Sequence, residues 1–375
     1  MTLHPVLSPG RTRGRPALLR GLNSFNALSF IQEEGASTGT RLAGAIGVSR
    51  TAIEAILTDL IDAGWLAKVS PEDNAQLGRP AARYDLDLAV GSVAAIEFDS
   101  ARTAAVVSDY RGHTLGVAAR TVTEGLDGEQ RVRLGVDLLD EALTTAQVEK
   151  AAVRCVGAAS PGVIAQGHVT HFGGHGMPGW IGRDLAGELR TALSLPVVLE
   201  GDSALGALAE RRRGAGRRDE SFVYIYSSRR TGAAIVSDGH LLRGSHGAVG
   251  LIGELPELRW RELEDAAYGE APASDDAAII GLGIAAMILA VDPALVVIGG
   301  PHRDHIAHLL PQIQAEVRRR CPVPPRIELG AFGSDAVMRG AVCLAMDTLN
   351  AALSRAVAAG EPLPGPSALS RLVVP

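Results

Sequence analysis

The chain has 375 residues, of which 46% are hydrophobic and 21% charged, and its formal net charge is −6 at pH 7. This length predicts two or three domains, and this composition is typical of a globular protein with a substantial core, which excludes a disordered or fibrous chain. The acidic balance gives no general sign of a nucleic-acid partner, so any such partner must be bound by a local surface.

The distribution of cysteine and apolar residues bears on the compartment. The three cysteines lie far apart without a Cys-x-x-Cys spacing, which argues against a zinc site and against a disulfide framework. We find no apolar stretch long enough to cross a bilayer, and no apolar segment follows the N-terminal arginines as it would in a signal peptide. We therefore expect a cytoplasmic, nucleoid-associated protein with no membrane partner.

Residues 1–20 have the composition of a flexible basic arm. Prolines and glycines interrupt any helix there. Between Met1 and Gln32 the sequence has four arginines and no acidic residue. A basic end on an acidic chain indicates local anion binding.

Residues 21–88 have the pattern of a winged helix-turn-helix domain. Three successive segments show helical apolar periodicity, and two strand-like runs follow them. This order predicts that the polar loop between the strands is the wing. The predicted elements are a first helix up to Gly35, a second at Thr38–Ile46, a third from its cap Ser49 to Gly64, and strands at Trp65–Val69 and Ala82–Leu86.

The start of the third predicted helix is the expected DNA-reading surface. Ala43 and Gly47 are small enough for a close helix crossing and a tight turn, while Val48 and Ile53 would fill the core. A small three-helix bundle without DNA affinity would also have small residues at its crossings, but the wing and the arm favour DNA binding. The candidate contacts are Ser49, Arg50 and Thr51, with Glu54 one turn later as a base reader.

The tripeptide Gly-Arg-Pro occurs twice, around Arg15 in the arm and around Arg79 in the predicted wing. Proline fixes the backbone and glycine removes a side chain, so that an arginine can enter a narrow minor groove. The wing position favours this contact for Arg79. For Arg15, a mobile arm attracted only to phosphates is an equal alternative.

Residues 90–355 alternate short β-rich runs with alanine-rich helical segments, which predicts an α/β body with two lobes. Proline-rich residues 356–375 are expected to be a disordered tail. The predicted strands are Val93–Phe98, Ala104–Ser108, Val153–Ala158, Val197–Glu200, Phe222–Tyr226, Ala233–Val236 and Leu295–Ile298. The predicted helices are Gln130–Thr145, Gly182–Ala192, Ala204–Arg213, Ala277–Leu289, Ile306–Arg320 and Asp335–Ala352.

Several motifs occur together with this domain order. They are Leu22-Asn23, Leu77-Gly78-Arg79-Pro80, Ser160-Pro161-Gly162-Val163, Pro178-Gly179-Trp180, Glu200-Gly201-Asp202-Ser203-Ala204, a glycine-rich run from Gly239 to Gly250, and the stretch Asp292–Gly300. In order and spacing they resemble the ROK (repressor, open reading frame, kinase) family over most of residues 20–350. The resemblance implies an actin-like or ribonuclease-H-like two-lobed body, usually in a homodimer.

The chain departs from the family at both nucleotide loops. ROK sugar kinases have Asp-x-Gly-Gly-Thr, where this chain has Glu97-Phe98-Asp99-Ser100-Ala101. The second loop, Gly-Thr-Gly-x-Gly in the kinases, is Ser228–Gly232 here. Both loops lack glycines that bring the backbone to phosphates, and Asp99 would repel a phosphate, which argues against phosphoryl transfer.

The sugar and metal ligands of the family are also changed. Gly176 stands where the family has asparagine, Leu251 where it has glutamate, and Glu254 where it has histidine; its cysteine-rich zinc loop is absent. Asp202 occupies the place of the catalytic base, although we favour helix capping by Asp202 or Ser203. We expect no catalytic residue, metal or cofactor, and a candidate effector pocket formed by Trp180, Asp202 and Glu254.

Two clusters receive simple interpretations. His168, His171 and His175 lie in a glycine-rich segment and are expected to be solvent-exposed rather than metal ligands. The arginines from Arg211 to Arg218 are expected to form a solvated helix end, favoured by the helix dipole, with phosphate contact as the alternative.

The sequence therefore predicts a regulator that binds double-stranded DNA as a homodimer, with repression more expected than activation. The alternatives are an ATP-dependent sugar kinase with a DNA-binding arm, and a constitutive DNA-binding protein without a sugar effector. The existence of a small-molecule effector stays open.

Overall fold

The computed structural model describes residues 16–69, 82–122, 125–173, 176–228, 231–260 and 276–373. Arg15, Arg79 and the whole predicted wing loop lie outside the described residues. The described part forms an N-terminal domain of three helices and a small sheet, followed by a body of two five-stranded sheets with helices between and outside them.

The N-terminal domain has the winged-helix arrangement that the sequence predicts. Its three strands form an antiparallel sheet in the order β1-β3-β2. The short strand β1 was not predicted, because two residues carry no periodicity. The elements are α1 (Pro16–Glu34), β1 (Ser37–Thr38), α2 (Gly39–Ile46), α3 (Arg50–Asp62), β2 (Leu66–Val69) and β3 (Arg83–Leu86).

The turn between α2 and α3 follows from its local sequence. The hydroxyl of Thr38 accepts a hydrogen bond from the backbone N–H of Arg41 at the start of α2. Gly47 ends α2 with a φ of 77°, a left-handed conformation that glycine adopts without strain. The hydroxyl of Ser49 then accepts from the N–H of Ala52 and begins α3, as predicted.

The first lobe is built on a mixed sheet with the strand order β10-β7-β4-β5-β6. A hairpin of β8 and β9 projects from it. The edge strand β6 was missed from the sequence, because polar residues and glycine interrupt it. The elements are β4 (Ser92–Phe98), β5 (Arg102–Asp109), β6 (Thr114–Thr121), α4 (Gly128–Ala146), β7 (Val153–Ser160), β8 (Val163–Ala165), β9 (His168–His171), α5 (Leu185–Leu193) and β10 (Val197–Gly201).

The second lobe has the strand order β13-β12-β11-β14-β15. Two helices lie between the lobes, and a short helix closes the described chain. The elements are α6 (Asp202–Arg213), β11 (Phe222–Tyr226), β12 (Gly232–Ser237), β13 (His240–Leu241), α7 (Asp276–Val291), β14 (Leu295–Gly299), α8 (Arg303–Arg320), β15 (Arg326–Leu329), α9 (Ala336–Ala358) and α10 (Leu369–Leu372).

The layers of the body follow from strand alternation, because successive side chains point to opposite faces of a sheet. In β4, Ile96 and Phe98 pack in the outer core under α4 and α5, whereas Ala95 packs in the central core with α6 and α9. In β11, Tyr224 faces that central core and Ile225 faces the outer core of α7 and α8. The order is therefore helices, sheet, helices, sheet, helices.

Helix α9 lies close to both neighbours in the central layer. A Cβ on Gly157 would lie 2.0 Å from the carbonyl oxygen of Ala341, and a Cβ on Gly340 would lie 2.0 Å from that of Leu205. Only glycine fits at either position. Residues 336–358 are long and apolar enough to span a membrane by length and composition, contrary to our sequence analysis, but 61% of the most apolar window is buried inside the protein. This is the pattern of a core helix.

Both ends of the described chain are more ordered than expected. Helix α1 begins at Pro16, so residues 16–20 belong to a helix and not to the arm; proline is favoured at a first helical position because it lacks an N–H. Helix α9 continues to Ala358, and the following residues return to the core, where Leu369 is completely buried. The expected disordered tail was wrong for residues 356–373, since apolar Leu363 and Leu369 outweigh the prolines.

Candidate nucleic-acid interface and ligand cleft

The first turn of α3 carries the candidate DNA contacts on its outer side. Ser49 begins the helix, and the next two residues, Arg50 and Thr51, are exposed or nearly so, while Ile53 is fully buried against α1 and α2. The side chains of Arg50 and Glu54 are 85% and 61% exposed and form an ion pair, with Nε of Arg50 3.1 Å from Oε1 of Glu54. All four candidate residues of this helix therefore share one end of α3.

The described part of the N-terminal domain is not basic. Its acidic side chains outnumber its basic ones, and Asp59 of α3 is held by Arg20 of α1 at 2.7 Å. The described part of this domain therefore carries no excess positive charge that would attract phosphates. The basic side chains are Arg20, Arg41, Arg50, Lys68 and Arg83; the acidic ones are Glu33, Glu34, Glu54, Asp59, Asp62, Asp85 and Asp87.

A buried polar triangle connects the N-terminal domain to the body, and we call this region the junction. The amide of Gln32 donates to the carbonyl oxygen of Tyr110 at 2.7 Å, and the hydroxyl of Tyr110 donates to Oδ1 of Asn350 at 2.9 Å. The amide of Asn350 donates back to Oε1 of Gln32 at 2.9 Å. Because buried polar groups are costly when unpaired, this closed set fixes α1 against β5 and α9. No local pattern in the sequence reveals this contact, since its members lie 78 to 318 residues apart.

Opposite charges surround the triangle. Arg212, at the end of α6, forms ion pairs with Glu33 of α1 at 3.5 Å and with Asp347 of α9. Arg111 pairs with Asp85 of β3 and donates to the carbonyl oxygen of Ile31 at 3.0 Å. The interpretation of the arginine cluster as a solvated helix end was therefore wrong for Arg212, whose side chain is only 16% exposed.

The turn between β4 and β5 contains the stretch Glu97–Ala101 that the resemblance compares with the first nucleotide loop of the kinases. The N–H of Asp99 donates to the carbonyl oxygen of Arg102, and the N–H of Ala101 donates to Oδ1 of Asp99, both at 2.9 Å. Buried Arg131 donates to the carbonyl oxygens of Asp99 and Ser100. Two backbone N–H groups that could meet a phosphate are thus already bonded inside the turn, and a carboxylate lies among them.

A cleft opens between the lobes and encloses about 960 Å³ of empty space that is open to solvent. Asp202, at the start of α6, and Glu254 line it. On its rim, Nε of Arg243 lies 2.7 Å from Oε2 of Glu200, and Nε2 of His171 lies 3.8 Å from Oε1 of Glu254. The cleft lining therefore holds three carboxylates and few cations.

Two expectations about this cleft were wrong. Trp180 does not line it: the indole is fully buried, donates from Nε1 to Oγ of Ser160 at 2.9 Å, and packs on Phe98 at 5.3 Å between ring centroids. Asp202 does not cap α6, because the cap is Gly201 without a side-chain bond. Oδ1 of Asp202 instead accepts from the N–H of the next residue, Ser203, at 2.6 Å.

Glu97, at the end of β4, is a site residue that sequence analysis noted only as a departure from the kinase motif. Its Oε2 is buried without a hydrogen-bond partner among the residues that the structure describes. Burial raises the pKa of this carboxyl to about 7, and the negative charges of Asp99, Asp202 and Asp335 add to that rise in pKa, against the opposing effect of Arg102. Asp202 lines the cleft, and we call the group of like charges formed by Glu97, Asp99, Asp202 and Asp335 the cleft floor.

The two described histidines of the segment, His168 and His171, do not form a metal-binding arrangement. His168 and His171 are exposed, and His175 lies outside the described residues. Across the described ranges, no group of three or more His, Cys, Asp or Glu side chains could hold a metal ion.

Comparisons with known proteins agree with this architecture. A family model described as the ROK family matches residues 127–258. The chain is 22% identical over 240 residues to the xylose repressor of Caldicellulosiruptor bescii, which covers 64% of this chain and 60% of that protein. It is 31% identical over 120 residues to the glucokinase of Halalkalibacterium halodurans, which covers 32% of this chain and 36% of the glucokinase. The chain thus spans about 60% of the length of the xylose repressor that it matches.

Solved structures show the same fold. A ROK family transcriptional regulator, described as a homologue of the E. coli MLC protein, matches with a TM-score of 0.65 at 19% identity and covers 95% of this chain and 99% of that one. The ROK hexokinase from Thermus thermophilus matches with a TM-score of 0.57 at 24% identity and covers 68% and 97%. The hexokinase covers the smaller share of this chain. The chain therefore has the two-lobed, actin-like fold of these structures, and its residues 127–258 match the ROK family model.

Proposed function

We propose that this protein is a sequence-specific regulator that binds double-stranded DNA, most simply as a repressor at the nucleoid, and that it has no kinase activity. One observation carries the proposal: α3 presents Arg50 and Thr51 at its exposed first turn, on a winged helix that is fixed to the body by the junction. A winged helix places such a turn in the major groove. The xylose repressor and the ROK family transcriptional regulator among the relatives support this function.

The β4–β5 turn supports the absence of phosphoryl transfer. Catalysis of that reaction depends on donors and cations that neutralise the phosphates. Here the N–H groups of Asp99 and Ala101 are bonded within the turn, and the carboxylate of Asp99 would repel a phosphate.

Helix α6 offers a physical connection between an effector and DNA. Its first residue, Asp202, lines the cleft, and Arg212 near its last turn binds α1 of the DNA-binding domain. A ligand that shifts α6 would therefore act on the junction directly. In a homodimer, such a shift would change the spacing of two DNA-binding domains on a pseudopalindromic site.

The test is selection of binding sites from random double-stranded DNA by the full chain, repeated with a panel of metabolites. We expect one enriched, pseudopalindromic site. Arg50→Ala should weaken binding to that site by about 1–3 kcal/mol, the scale of a good base-reading contact. Arg79→Ala should weaken binding most at A·T-rich flanks. A wild-type chain that enriches no sequence would refute the proposal.

The second candidate is an ATP-dependent sugar kinase, which the 31% identity to a glucokinase favours. It predicts ATP-dependent phosphorylation of a hexose that Asp202→Asn abolishes, and this result would overturn the non-enzymatic part of the proposal. A constitutive DNA-binding protein is the third candidate. It predicts an enriched site whose affinity no metabolite of the panel changes.

A further inference from the structure

The ion pair between Arg50 and Glu54 lies where α3 would meet bases. Arg50 is the only basic residue of α3, and Glu54 follows it by one turn on the same exposed side. Ser49 fixes the start of the helix, so that both side chains leave the same end of it. An exposed pair at this spacing contributes little to stability. We therefore attribute its position to the recognition of DNA.

The geometry of the pair leaves the base-reading edge of the arginine available. Glu54 accepts from Nε of Arg50, so this bond does not use the two terminal guanidinium nitrogens. These two nitrogens can donate together to O6 and N7 of a guanine, the commonest specific contact of arginine in the major groove. The carboxylate therefore orients the guanidinium before DNA arrives.

A carboxylate in the major groove is unfavourable unless it meets a donor. It is repelled by phosphates and by the acceptors of guanine and thymine, whereas the N4 amino group of cytosine is its usual partner. No other basic side chain of α3 compensates for Glu54, because Asp59 and Asp62 are the remaining charges of the helix. Glu54 should therefore discriminate by excluding the wrong bases.

We propose that Arg50 and Glu54 read two adjacent base pairs as a unit, with Arg50 on a guanine of one pair and Glu54 on the cytosine amino group of the next. This inference rests on the proposed DNA-binding function and adds its base preference. The negative charge of Glu54 thus makes this pair selective for its bases. The affinity for phosphates is left to the arginines of residues 1–15 and 70–81.

The test is site selection followed by fluorescence anisotropy with the full-length wild type and two variants at position 54. Wild type should prefer cytosine over the other bases at one position of each half-site by about 5- to 150-fold, which corresponds to about 1–3 kcal/mol. Glu54→Ala should lose this preference while binding random DNA more tightly. Glu54→Gln should shift the preference toward adenine, which glutamine reads with both of its polar atoms.

The matched control is Asp62→Ala, which removes the same charge from the exposed far end of α3. It should leave every base preference unchanged. Replacing the contacted guanine with 7-deazaguanine should weaken wild type and leave Arg50→Ala unaffected. If wild type selects a site and Glu54→Ala keeps the same preference at every position, the inference is overturned while the proposed function stands. If wild type selects no site, both fail.

Discussion

The junction and the cleft floor are both polar and partly buried, but the junction brings unlike charges together whereas the cleft floor brings like charges together. At the junction, Arg212 faces Glu33 and Asp347, and Arg111 faces Asp85, so that unlike charges meet. At the cleft floor, the pKa of Glu97 is raised further by neighbouring carboxylates. A region of paired charges holds one geometry, whereas a region of like charges changes its energy whenever a proton or ligand is bound.

Under the proposed function, the two regions would have separate roles. The junction would transmit a change in the body, because Gln32, Tyr110 and Asn350 fix the N-terminal domain against it. The cleft would respond to a ligand, because binding can offset its like charges. Mutations in either region test this difference.

The largest expected effect is at the apolar edge of the junction. Leu369→Ala should lower the free energy of unfolding by about 2–5 kcal/mol, because Leu369 is fully buried in the core that the DNA-binding domain shares with the body. Urea unfolding of the full chain measures this loss. The matched control is Leu88→Ala, since Leu88 is 98% exposed and should cost little. Equal stability of both variants would show that the C-terminal segment does not hold the junction.

The ion pairs of the junction should come next. Arg212→Met should destabilise the protein by about 3 kcal/mol, since it leaves Glu33 and Asp347 without their partner in a partly buried site. The same variant should weaken specific DNA binding by releasing α1. Denaturation and anisotropy measure the two effects. If the variant keeps wild-type stability and DNA affinity, Arg212 does not hold α1 at the junction.

The cleft floor should make the stability of the protein depend on pH. Because the pKa of Glu97 is raised from its usual range to about 7, its contribution to stability is complete below about pH 4.5 and is lost as the pH rises through 7. Glu97→Gln removes that loss, so the variant should be more stable than wild type above pH 7, by at most about 3 kcal/mol, since each pKa unit corresponds to about 1.4 kcal/mol.

Stability measured from pH 5 to pH 8 checks this prediction. The gap between Glu97→Gln and wild type should widen with pH, while the exposed control Glu129→Gln should follow wild type throughout. Parallel curves for Glu97→Gln and wild type would mean that the cleft floor stores no proton.

The smallest effect belongs to the rim of the cleft. Arg243→Met removes the ion pair with Glu200, but the side chain of Arg243 is 55% exposed, so the loss should be below about 1 kcal/mol. Arg243→Met and Arg212→Met make the same chemical change, but the side chain of Arg243 is more exposed to solvent. If both cost the same, burial does not separate the two regions.

The DNA-binding domain was the more predictable of the two parts of the chain. Its helix boundaries follow from local rules: Thr38 and Ser49 begin helices with their hydroxyls, and Gly47 ends one with a positive φ. These residues act on their immediate neighbours, so the sequence alone reveals them. Most strands of the body were also predicted from apolar runs, whereas the edge strands β6 and β15 were missed, because exposed strands carry a weaker apolar pattern.

The sites were less predictable, because they depend on contacts between distant residues. Trp180 and Asp202 both belong to motifs that resemble the family. The indole of Trp180 is nevertheless buried in a core, whereas Asp202 lines the cleft. Arg212 has the sequence context of a solvated helix end, but Glu33 and Asp347 approach it from two other helices. Local sequence cannot show which groups other segments bring near.

The sequence by itself determined the domain order, the winged helix with its exposed Arg50, and the loss of the phosphate-loop glycines at Glu97–Ala101. These are consequences of local conformation and side-chain chemistry, which do not depend on the rest of the fold. Only the tertiary structure decided that Gln32, Tyr110 and Asn350 close a buried triangle and that burial raises the pKa of Glu97. Burial and hydrogen-bond partners are set by the packing of whole elements, and that packing converts ordinary side chains into a junction or a charged cleft.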